Sequence, residues 1–168
     1  MIDSDTLKGN VIFLSLGSNL GDKRKNIQSA IVLIRKRLGP PGAVSQVFES
    51  VSWGYTSEHL FYNCCLSVST QLEPLPVMEE LLSIERILGR ERGKLGYSDR
   101  LIDIDLLFFG DLLMDHPRLK LPHPSIPLRR FVLKPLSEIA AGLIHPGNGL
   151  TVLTMLEQCR DMSEVRPI

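Results

Sequence analysis

Asp103 and Asp105 lie two residues apart within the apolar segment 101–109. Residues two apart in a β-strand point to the same face of a sheet, with origins about 6.6 Å apart, so we expect the two carboxylates to project side by side. A carboxylate that is buried on an apolar strand is costly unless a positive charge or a metal ion offsets its negative charge. Mg²⁺ is commonly held by one or two carboxylates with waters and substrate phosphates. The pair therefore indicates a site for two magnesium ions in phosphoryl transfer. The alternative is that both aspartates lie on a solvated sheet face.

The charged residues around this pair are segregated by sign. Residues 101–115 include four acids and no Lys or Arg, whereas residues 116–137 include five basic residues and no acid. The loop before the aspartates adds Arg90, Arg92, Lys94 and Arg100. Because guanidinium groups bind phosphate oxygens through paired hydrogen bonds, this set favours a site for a polyphosphate with its magnesium ions. Taken singly, each arginine is also compatible with ordinary solvated surface.

Other residues are candidates for substrate contacts, although each could also have a purely structural role in a turn or in the core. His123 lies between two prolines, which suits either a presented ligand or a turn residue. Three aromatic residues and one amide could grip a flat polar ring, or the rings could be ordinary core: Phe61, Tyr97, Phe131 and Asn63. The segment 17–22 is more typical of a capped turn than of an anion site. The segment 89–95 lacks the spacing and the Ser/Thr of a nucleotide-binding P-loop.

The elements that would position these residues follow from hydrophobic periodicity. Strands are predicted at 11–16, 44–50, 60–70 and 101–109. Helices are predicted from an Asp22 cap to residue 38 and from the turn 71–76 to a Gly89 stop, and shorter helices at 128–140 and 151–159. The order is typical of an α+β, ferredoxin-like βαββαβ sheet with helices packed on it and a C-terminal helical extension.

Composition limits the class of protein. The 168 residues are expected to form a single catalytic domain, 1–168. Balanced charge, 19 basic against 19 acidic residues, disfavours a nucleic-acid partner. No apolar run is long enough for a membrane helix, and the acidic N-terminus does not suit a secretory signal. Three cysteines, two of them adjacent, do not form a disulfide framework, so we expect a cytoplasmic protein.

Taken together, these motifs resemble the 6-hydroxymethyl-7,8-dihydropterin pyrophosphokinase family of folate biosynthesis. The matching segments occur in the family's order and are Gly17-Ser18-Asn19-Leu20-Gly21-Asp22, Phe61-Tyr62-Asn63, Ile84-Glu85 through Gly89-Arg90, Arg100-Leu101-Ile102-Asp103-Ile104-Asp105-Leu106-Leu107, Pro122-His123-Pro124 and Arg129-Arg130-Phe131. The resemblance implies a ferredoxin-like fold. It also implies transfer of the β,γ-diphosphate of ATP to the pterin hydroxymethyl oxygen, with release of AMP.

The resemblance also assigns roles by position. Asp103 and Asp105 would hold two Mg²⁺ ions, and Arg90, Arg100 and Asp105 would take part in catalysis. The residues expected at ATP, the co-substrate, are Glu85, Arg92, Arg118, His123 and Arg129. The residues expected at the pterin are Ser50, Trp53, Gly54, Phe61, Asn63, Tyr97 and Phe131. The partners are therefore small molecules, and we expect a monomer, with a dimer as the alternative.

The chain departs from the family pattern ahead of the metal strand. Gly96-Tyr97-Ser98-Asp99-Arg100 stands where the family often has Arg-Trp-Gly-Pro-Arg. The length and glycines of the loop 90–100 predict a lid. Two other functions would also use the aspartates or the predicted fold. They are a metal-dependent nucleotidyltransferase or nuclease, and a regulatory module that only binds a nucleotide.

Overall fold

The computed structural model describes residues 9–90 and 97–168 of the chain. Within these ranges the strands are β1 (Asn10–Ser18), β2 (Pro41–Val44), β3 (Phe48–Ser50), β4 (Phe61–Thr70), β5 (Asp103–Phe109), β6 (Met114–His116), β7 (Leu119–Leu121) and β8 (Val165–Pro167). The α-helices are α1 (Lys23–Arg37), α2 (Pro74–Ile87), α3 (Arg130–Ala140) and α4 (Val152–Gln158). The chain thus has a mixed fold of helices and an antiparallel sheet, which agrees with the predicted α+β class at this coarser level.

Six of these strands form one antiparallel sheet. Its order is β5-β1-β4-β3-β8, with β2 also paired to β4, while β6 and β7 form a separate hairpin. Strand β1 lies between β4 and β5, so Gly17 stands opposite both Asn63 and Asp103, and Ser15 stands opposite Asp105. The register therefore brings residues from three distant parts of the sequence into neighbouring rows.

The two faces of the sheet are covered by different helices. Helices α1 and α2 pack on one face, over a core that includes Leu14, Leu66 and Ile104. Helices α3 and α4 pack on the other face, over Cys65 and Phe108. Asp103 and Asp105 alternate with Ile104 and so point to this second face. Near the start of α3, that face borders a cavity instead of a packed core.

The helix boundaries follow the local signals in the sequence. The Asp22 carboxylate accepts a hydrogen bond from the backbone N–H of Lys25 at 3.1 Å and caps α1 as predicted. Pro74 occupies the first turn of α2, where its missing N–H costs nothing. Gly89 follows the end of α2 with φ +91°, the left-handed conformation predicted for this position.

Five short strands depart from the sequence-based prediction: β2, β3, β6, β7 and β8. The predicted strand 44–50 is wrong in extent, because residues 45–47 separate β2 from β3. The Ser45 hydroxyl accepts a hydrogen bond from the backbone N–H of Cys65 at 2.9 Å, so a side chain replaces a backbone partner there. The hairpin β6–β7 and the edge strand β8 were not predicted. Strands of three residues are too short for alternation to be recognised.

In the part of the chain that the structure describes, no helix is both long and apolar enough to span a membrane.

Candidate active site

The two aspartates of β5 line a cavity on the second face of the sheet. Their side chains are 26% and 27% exposed, while Ile104 between them is buried in the opposite core. The cavity floor includes Ser15 and Gly17 of the neighbouring strand β1. The predicted side-by-side projection of the two carboxylates thus follows from strand alternation and the register with β1.

Asp103 is paired with two arginines. Arg90 Nη1 donates to Asp103 Oδ1 at 2.5 Å, and Arg100 Nη1 lies 3.4 Å from Asp103 Oδ2. Both guanidinium groups are largely buried, with 16% and 14% of the side chain exposed. Positive charge is therefore fixed beside the Asp103 carboxylate in the absence of substrate.

Glu85 lies beneath β5 rather than at the cavity surface. It is almost fully buried, and its Oε1 accepts hydrogen bonds from the backbone N–H of Ile104 at 2.8 Å and from Arg90 Nη1 at 2.6 Å. A buried carboxylate that holds a strand amide and an arginine fixes both in place. The structure thus positions Glu85 as a support for Arg90 and for the backbone between the two aspartates.

Asp105 is paired with Arg129, whose Nη1 lies 3.3 Å from Asp105 Oδ2. Burial, followed by the negative charge of Asp103, raises the pKa of Asp105 from its ordinary value of 3.8 to about 7. Two adjacent carboxylates that disfavour each other's charge provide a suitable donor set for a hard cation. Among the described residues there is no cluster of three or more His, Cys, Asp or Glu ligands. The remaining ligands of a cation here would be water and phosphate oxygens.

Aromatic rings form the wall of the cavity. Trp53 meets Tyr97 edge-on with centroids 5.9 Å apart, and Tyr55 stacks parallel to Tyr97 with centroids 6.4 Å apart. The Arg129 guanidinium lies over Trp53 at 4.7 Å and over Phe131 at 5.8 Å. Rings and a stacked guanidinium of this kind suit a flat, electron-rich ligand.

Two buried polar side chains lie deeper in the same cavity. Asn63 Nδ2 donates to Ser50 Oγ at 2.9 Å, and both residues are almost fully buried. This bond uses one of the two donor hydrogens of the amide, and the amide oxygen is a further acceptor. The pair is able to recognise the edge of a polar ring.

Two glycines keep this cavity open. A Cβ at Gly17 would lie 3.3 Å from Asn63 Oδ1, and a Cβ at Gly54 would lie 3.2 Å from the Tyr97 ring. Gly54 also has φ +80°, which other residues rarely adopt. Side chains at these positions would crowd the aromatic wall and the amide.

Two buried arginine nitrogens at the cavity lack an acceptor. Within the described ranges, Arg100 Nε and Arg129 Nε are the buried side-chain polar atoms without a hydrogen-bond partner. Buried donors without acceptors are costly, and they concentrate at functional sites. Their placement beside Asp103 and Asp105 suits a ligand that carries several acceptor oxygens.

A second groove adjoins the first cavity at Asp105. Arg118 and His123 line it together with apolar residues, which are Met78, Leu81, Leu82, Ile104, Leu106 and Leu119. Burial, and then the charge of Arg129, lowers the pKa of His123 to about 4, so its imidazole is neutral near pH 7. Arg118 lies at the rim, 54% exposed, with Nη2 3.1 Å from Glu79 Oε1.

Most of the residues predicted from the sequence line one or both of the two cavities. Those lining the aromatic cavity are Ser50, Trp53, Phe61, Asn63, Tyr97, Phe131, Arg100, Asp103, Asp105 and Arg129. Arg118 and His123 line the second groove, while Arg90 and Glu85 support β5. Arg92 lies outside the described residues, as do residues 91–96 of the predicted lid.

Four further residues line the cavity without having been assigned a role from the sequence: Ser15, Gly17, Val51 and Tyr55. Ser15 and Gly17 interrupt the apolar strand β1 at every second position, the same spacing that identified the two aspartates. Tyr55 directly follows Gly54, which was predicted, but no periodic pattern marks a loop residue.

The protein is similar to known enzymes over most of its length. The family model described as 7,8-dihydro-6-hydroxymethylpterin-pyrophosphokinase (HPPK) matches residues 13–141. A Porphyromonas gingivalis protein named 2-amino-4-hydroxy-6-hydroxymethyldihydropteridine pyrophosphokinase is 38% identical over 139 residues, which cover 81% of this chain and 94% of that protein. A protein of the same name from Aquifex aeolicus is 38% identical over 136 residues, which cover 80% of this chain and 83% of that protein.

The fold is similar to that of a solved structure. Plasmodium falciparum HPPK-DHPS, wild type with pteroate, superposes with a TM-score of 0.74 at 16% identity and covers 90% of this chain. This chain spans 44% of the length of that protein. The family predicted from the sequence motifs is confirmed: the chain belongs to the 7,8-dihydro-6-hydroxymethylpterin-pyrophosphokinase (HPPK) family of enzymes.

Proposed function

We propose that this chain transfers the β,γ-diphosphate of ATP to the hydroxymethyl oxygen of 6-hydroxymethyl-7,8-dihydropterin and releases AMP, as a step of folate biosynthesis. The observation that carries the proposal is that Asp105 lines both cavities. One cavity has an aromatic wall and a buried amide, and the other has an arginine, a histidine and apolar side chains. Two dissimilar substrates that meet at one carboxylate are what a diphosphate transfer between them requires.

The aromatic cavity is the proposed pterin site. Trp53, Tyr97 and Phe131 would contact the faces of the ring, and Asn63, held by Ser50, would bind its polar edge. Gly54 and Gly17 leave room for the ring, since a side chain at either would crowd the wall or the amide. Burial of a flat ring among aromatic side chains, with an amide at its edge, gives both affinity and orientation.

The second groove is the proposed ATP site. Its apolar residues would pack against the adenine, and Arg118 and His123 would contact the phosphates. A neutral His123 donates or accepts a hydrogen bond without carrying charge. The diphosphate would then extend toward Asp105, where the buried Nε groups of Arg100 and Arg129 are available as donors.

Asp103 and Asp105 are the proposed ligands of Mg²⁺, with two ions expected. Their oxygen chemistry, their common face and the raised pKa of Asp105 support this. When bound, Mg²⁺ neutralises negative charge on the phosphates. Arg90 and Arg100 hold Asp103 in position, and Glu85 holds Arg90.

The protein's contribution to catalysis is mainly orientation and fixed positive charge. Arg100 and Arg129 would stabilise charge on the transferred group and on the departing AMP, because their guanidinium groups are held by ion pairs to the two aspartates. The ring-binding residues would hold the pterin hydroxyl at the boundary of the two cavities. Such positioning accounts for most of the acceleration in phosphoryl transfer.

We extend the proposal to the organisation of the molecule. The strand order β5-β1-β4-β3, with α1 and α2 on one face, supports a ferredoxin-like arrangement. We propose that residues 1–168 act as one catalytic domain, as a cytoplasmic monomer without a nucleic-acid partner.

The reaction is tested by product analysis. The purified protein is incubated with ATP, Mg²⁺ and 6-hydroxymethyl-7,8-dihydropterin, and nucleotides are separated by anion-exchange chromatography. We expect AMP in equal amount to the pterin diphosphate, and no AMP when the pterin is omitted. ADP as the product, or AMP formation that does not depend on the pterin, would refute the proposal. Asp111→Asn, which alters an exposed turn outside both cavities, is the matched control for variants of Asp105.

A further inference from the structure

The Asp99 carboxylate lies where three loops meet beside the aromatic cavity. Its Oδ1 accepts hydrogen bonds from Asn19 Nδ2 at 2.8 Å and from the Tyr55 hydroxyl at 3.0 Å. His59 Nε2 lies 3.9 Å from its Oδ2. A hydrogen bond from Ser57, followed by those from Asn19 and Tyr55, lowers the pKa of Asp99. We call these five residues, Asn19, Tyr55, Ser57, His59 and Asp99, the Asp99 cluster.

The Asp99 cluster is connected directly to Arg100. The backbone N–H of Arg100 donates to Asn19 Oδ1 at 2.8 Å, and the backbone N–H of Asn19 donates to the Arg100 carbonyl at 3.1 Å. Asn19 is almost fully buried, and its amide donates to Asp99 on one side and accepts from Arg100 on the other. The turn after β1 therefore holds the backbone from which the Arg100 side chain extends toward Asp103.

The cluster is also connected to Tyr97. The Tyr55 ring, whose hydroxyl donates to Asp99, stacks parallel to Tyr97. Tyr97 forms part of the cavity wall but is 47% exposed, so packing alone holds it weakly. Its hydroxyl accepts a hydrogen bond from Arg129 Nη2 at 3.2 Å. Asp99 thus acts on Tyr97 through Tyr55, and on Arg100 through Asn19.

Residues 97–100 belong to no helix or strand, so no backbone ladder orders them. Ordering such a segment only when the substrate binds would cost affinity, whereas side-chain hydrogen bonds made in advance remove that cost.

We propose that Asp99 is a positioning residue for the pterin: through Asn19 and Tyr55 it holds Arg100 and Tyr97 in their binding positions before the substrate arrives. This inference rests on the proposed function, because it assigns the aromatic cavity to the pterin. Asp99 itself does not line that cavity, so its effect on binding is indirect.

The first test compares Asp99→Ala with Asp99→Asn and with the control Asp111→Ala. Binding of 6-hydroxymethylpterin is followed by its fluorescence without ATP, and KM and kcat are then measured with ATP present. We expect Asp99→Ala to raise the Kd and the KM for the pterin about tenfold, with kcat changed less than about threefold. Asp99→Asn keeps an Oδ1 acceptor for Asn19 and Tyr55, so it restores most of the affinity.

A double-mutant cycle separates positioning from a general loss of stability. Tyr55→Phe keeps the stacked ring but removes the donor to Asp99, so it is expected to raise the Kd about threefold. In the Asp99→Ala background its effect is smaller, because the hydrogen bond from the Tyr55 hydroxyl to Asp99 is already absent. If Asp99→Ala does not fold, Tyr55→Phe is measured in the unmutated and the Asp99→Asn proteins. A threefold rise in Kd is expected in both, because asparagine keeps the acceptor that Tyr55 uses, and no rise in either would overturn the inference.

Several outcomes would overturn the inference. Pterin affinity of Asp99→Ala equal to that of Asp111→Ala would refute it, as would fully additive effects of the Asp99 and Tyr55 variants. A lowered melting temperature with unchanged pterin affinity would show a structural role only. These results differ from failure of the proposed function, in which the unmutated protein itself forms no AMP.

Discussion

Asp105→Asn is expected to make the metal-free protein more stable at pH 8 while it abolishes turnover. The substitution keeps the size of the side chain but removes a largely buried negative charge that lies beside Asp103 and pairs with Arg129. The negative charge of Asp105 is required for turnover but destabilises the folded state. Its removal therefore raises stability while it abolishes turnover. Proteins commonly accept such a cost at their active sites.

The magnitude follows from the raised pKa. A rise from 3.8 to about 7 corresponds to about 4 kcal/mol of differential interaction. Because the Asp105 side chain is 27% exposed, solvent screening reduces the figure, and we expect about 2 kcal/mol. For a protein of this size, that gain raises the melting temperature by about 4–8 °C.

The raised pKa of Asp105 also determines how the free energy of unfolding changes with pH. Between about pH 4 and pH 7 the folded state retains a proton at Asp105 that the unfolded state has released. The free energy of unfolding therefore falls as the pH rises through this window, and levels off above it. Asparagine does not titrate, so the advantage of Asp105→Asn is greatest at pH 8 and vanishes near pH 4.

The assay is urea denaturation at half-unit pH steps from 4.5 to 8, in the presence of EDTA. Asp111→Asn removes the same charge from an exposed turn and serves as the control for net charge. The reasoning is refuted if Asp105→Asn unfolds at the same or lower urea concentration than the unmutated protein at pH 8. It is equally refuted if the difference between them persists unchanged at pH 4.5.

Three further predictions concern the aromatic wall of the first cavity, Glu85 beneath β5 and His123 in the second groove. Gly54→Ala is expected to raise the KM for the pterin at least tenfold in steady-state assays, because the added Cβ would press on Tyr97 and the backbone would be strained. The control Gly142→Ala, whose Cβ meets no neighbour, leaves the KM for the pterin unchanged. Glu85→Gln is expected to lower the free energy of unfolding, measured by urea denaturation, by about 2 kcal/mol and to lower kcat. The reason is that the buried negative charge that accepts hydrogen bonds from Arg90 and from the Ile104 backbone is removed. An unchanged free energy of unfolding would contradict this. The pKa of His123 is lowered to about 4, so the NMR signals of its imidazole are expected to stay constant from pH 5.5 to 8. The free energy of unfolding is expected to fall as the pH decreases from about 6.5 to 4. An NMR titration of His123 with a midpoint near pH 6.5 would contradict this.

Local signals in the sequence accounted for much of the fold. The Asp22 cap, the Gly89 stop and the apolar alternation of β1, β4 and β5 were all recognisable, because each depends on residues within one or two turns. The strands that were missed depend on distant partners. Strand β8 exists only because Val165 and its neighbours pair with β3, more than a hundred residues earlier in the chain.

Taken alone, the sequence determined that two carboxylates share a face, that basic segments flank them, and which family the motifs match. These conclusions need only the two-residue repeat of a strand and the order of charged residues along the chain. The tertiary structure decided where each of the other charged residues lies relative to the two aspartates. Arg129 enters the aromatic cavity beside Asp105, Arg118 and His123 line the other groove, and Glu85 lies buried below. Periodicity sets which way a side chain points within its own element, but only strand register and loop packing set which distant group it meets.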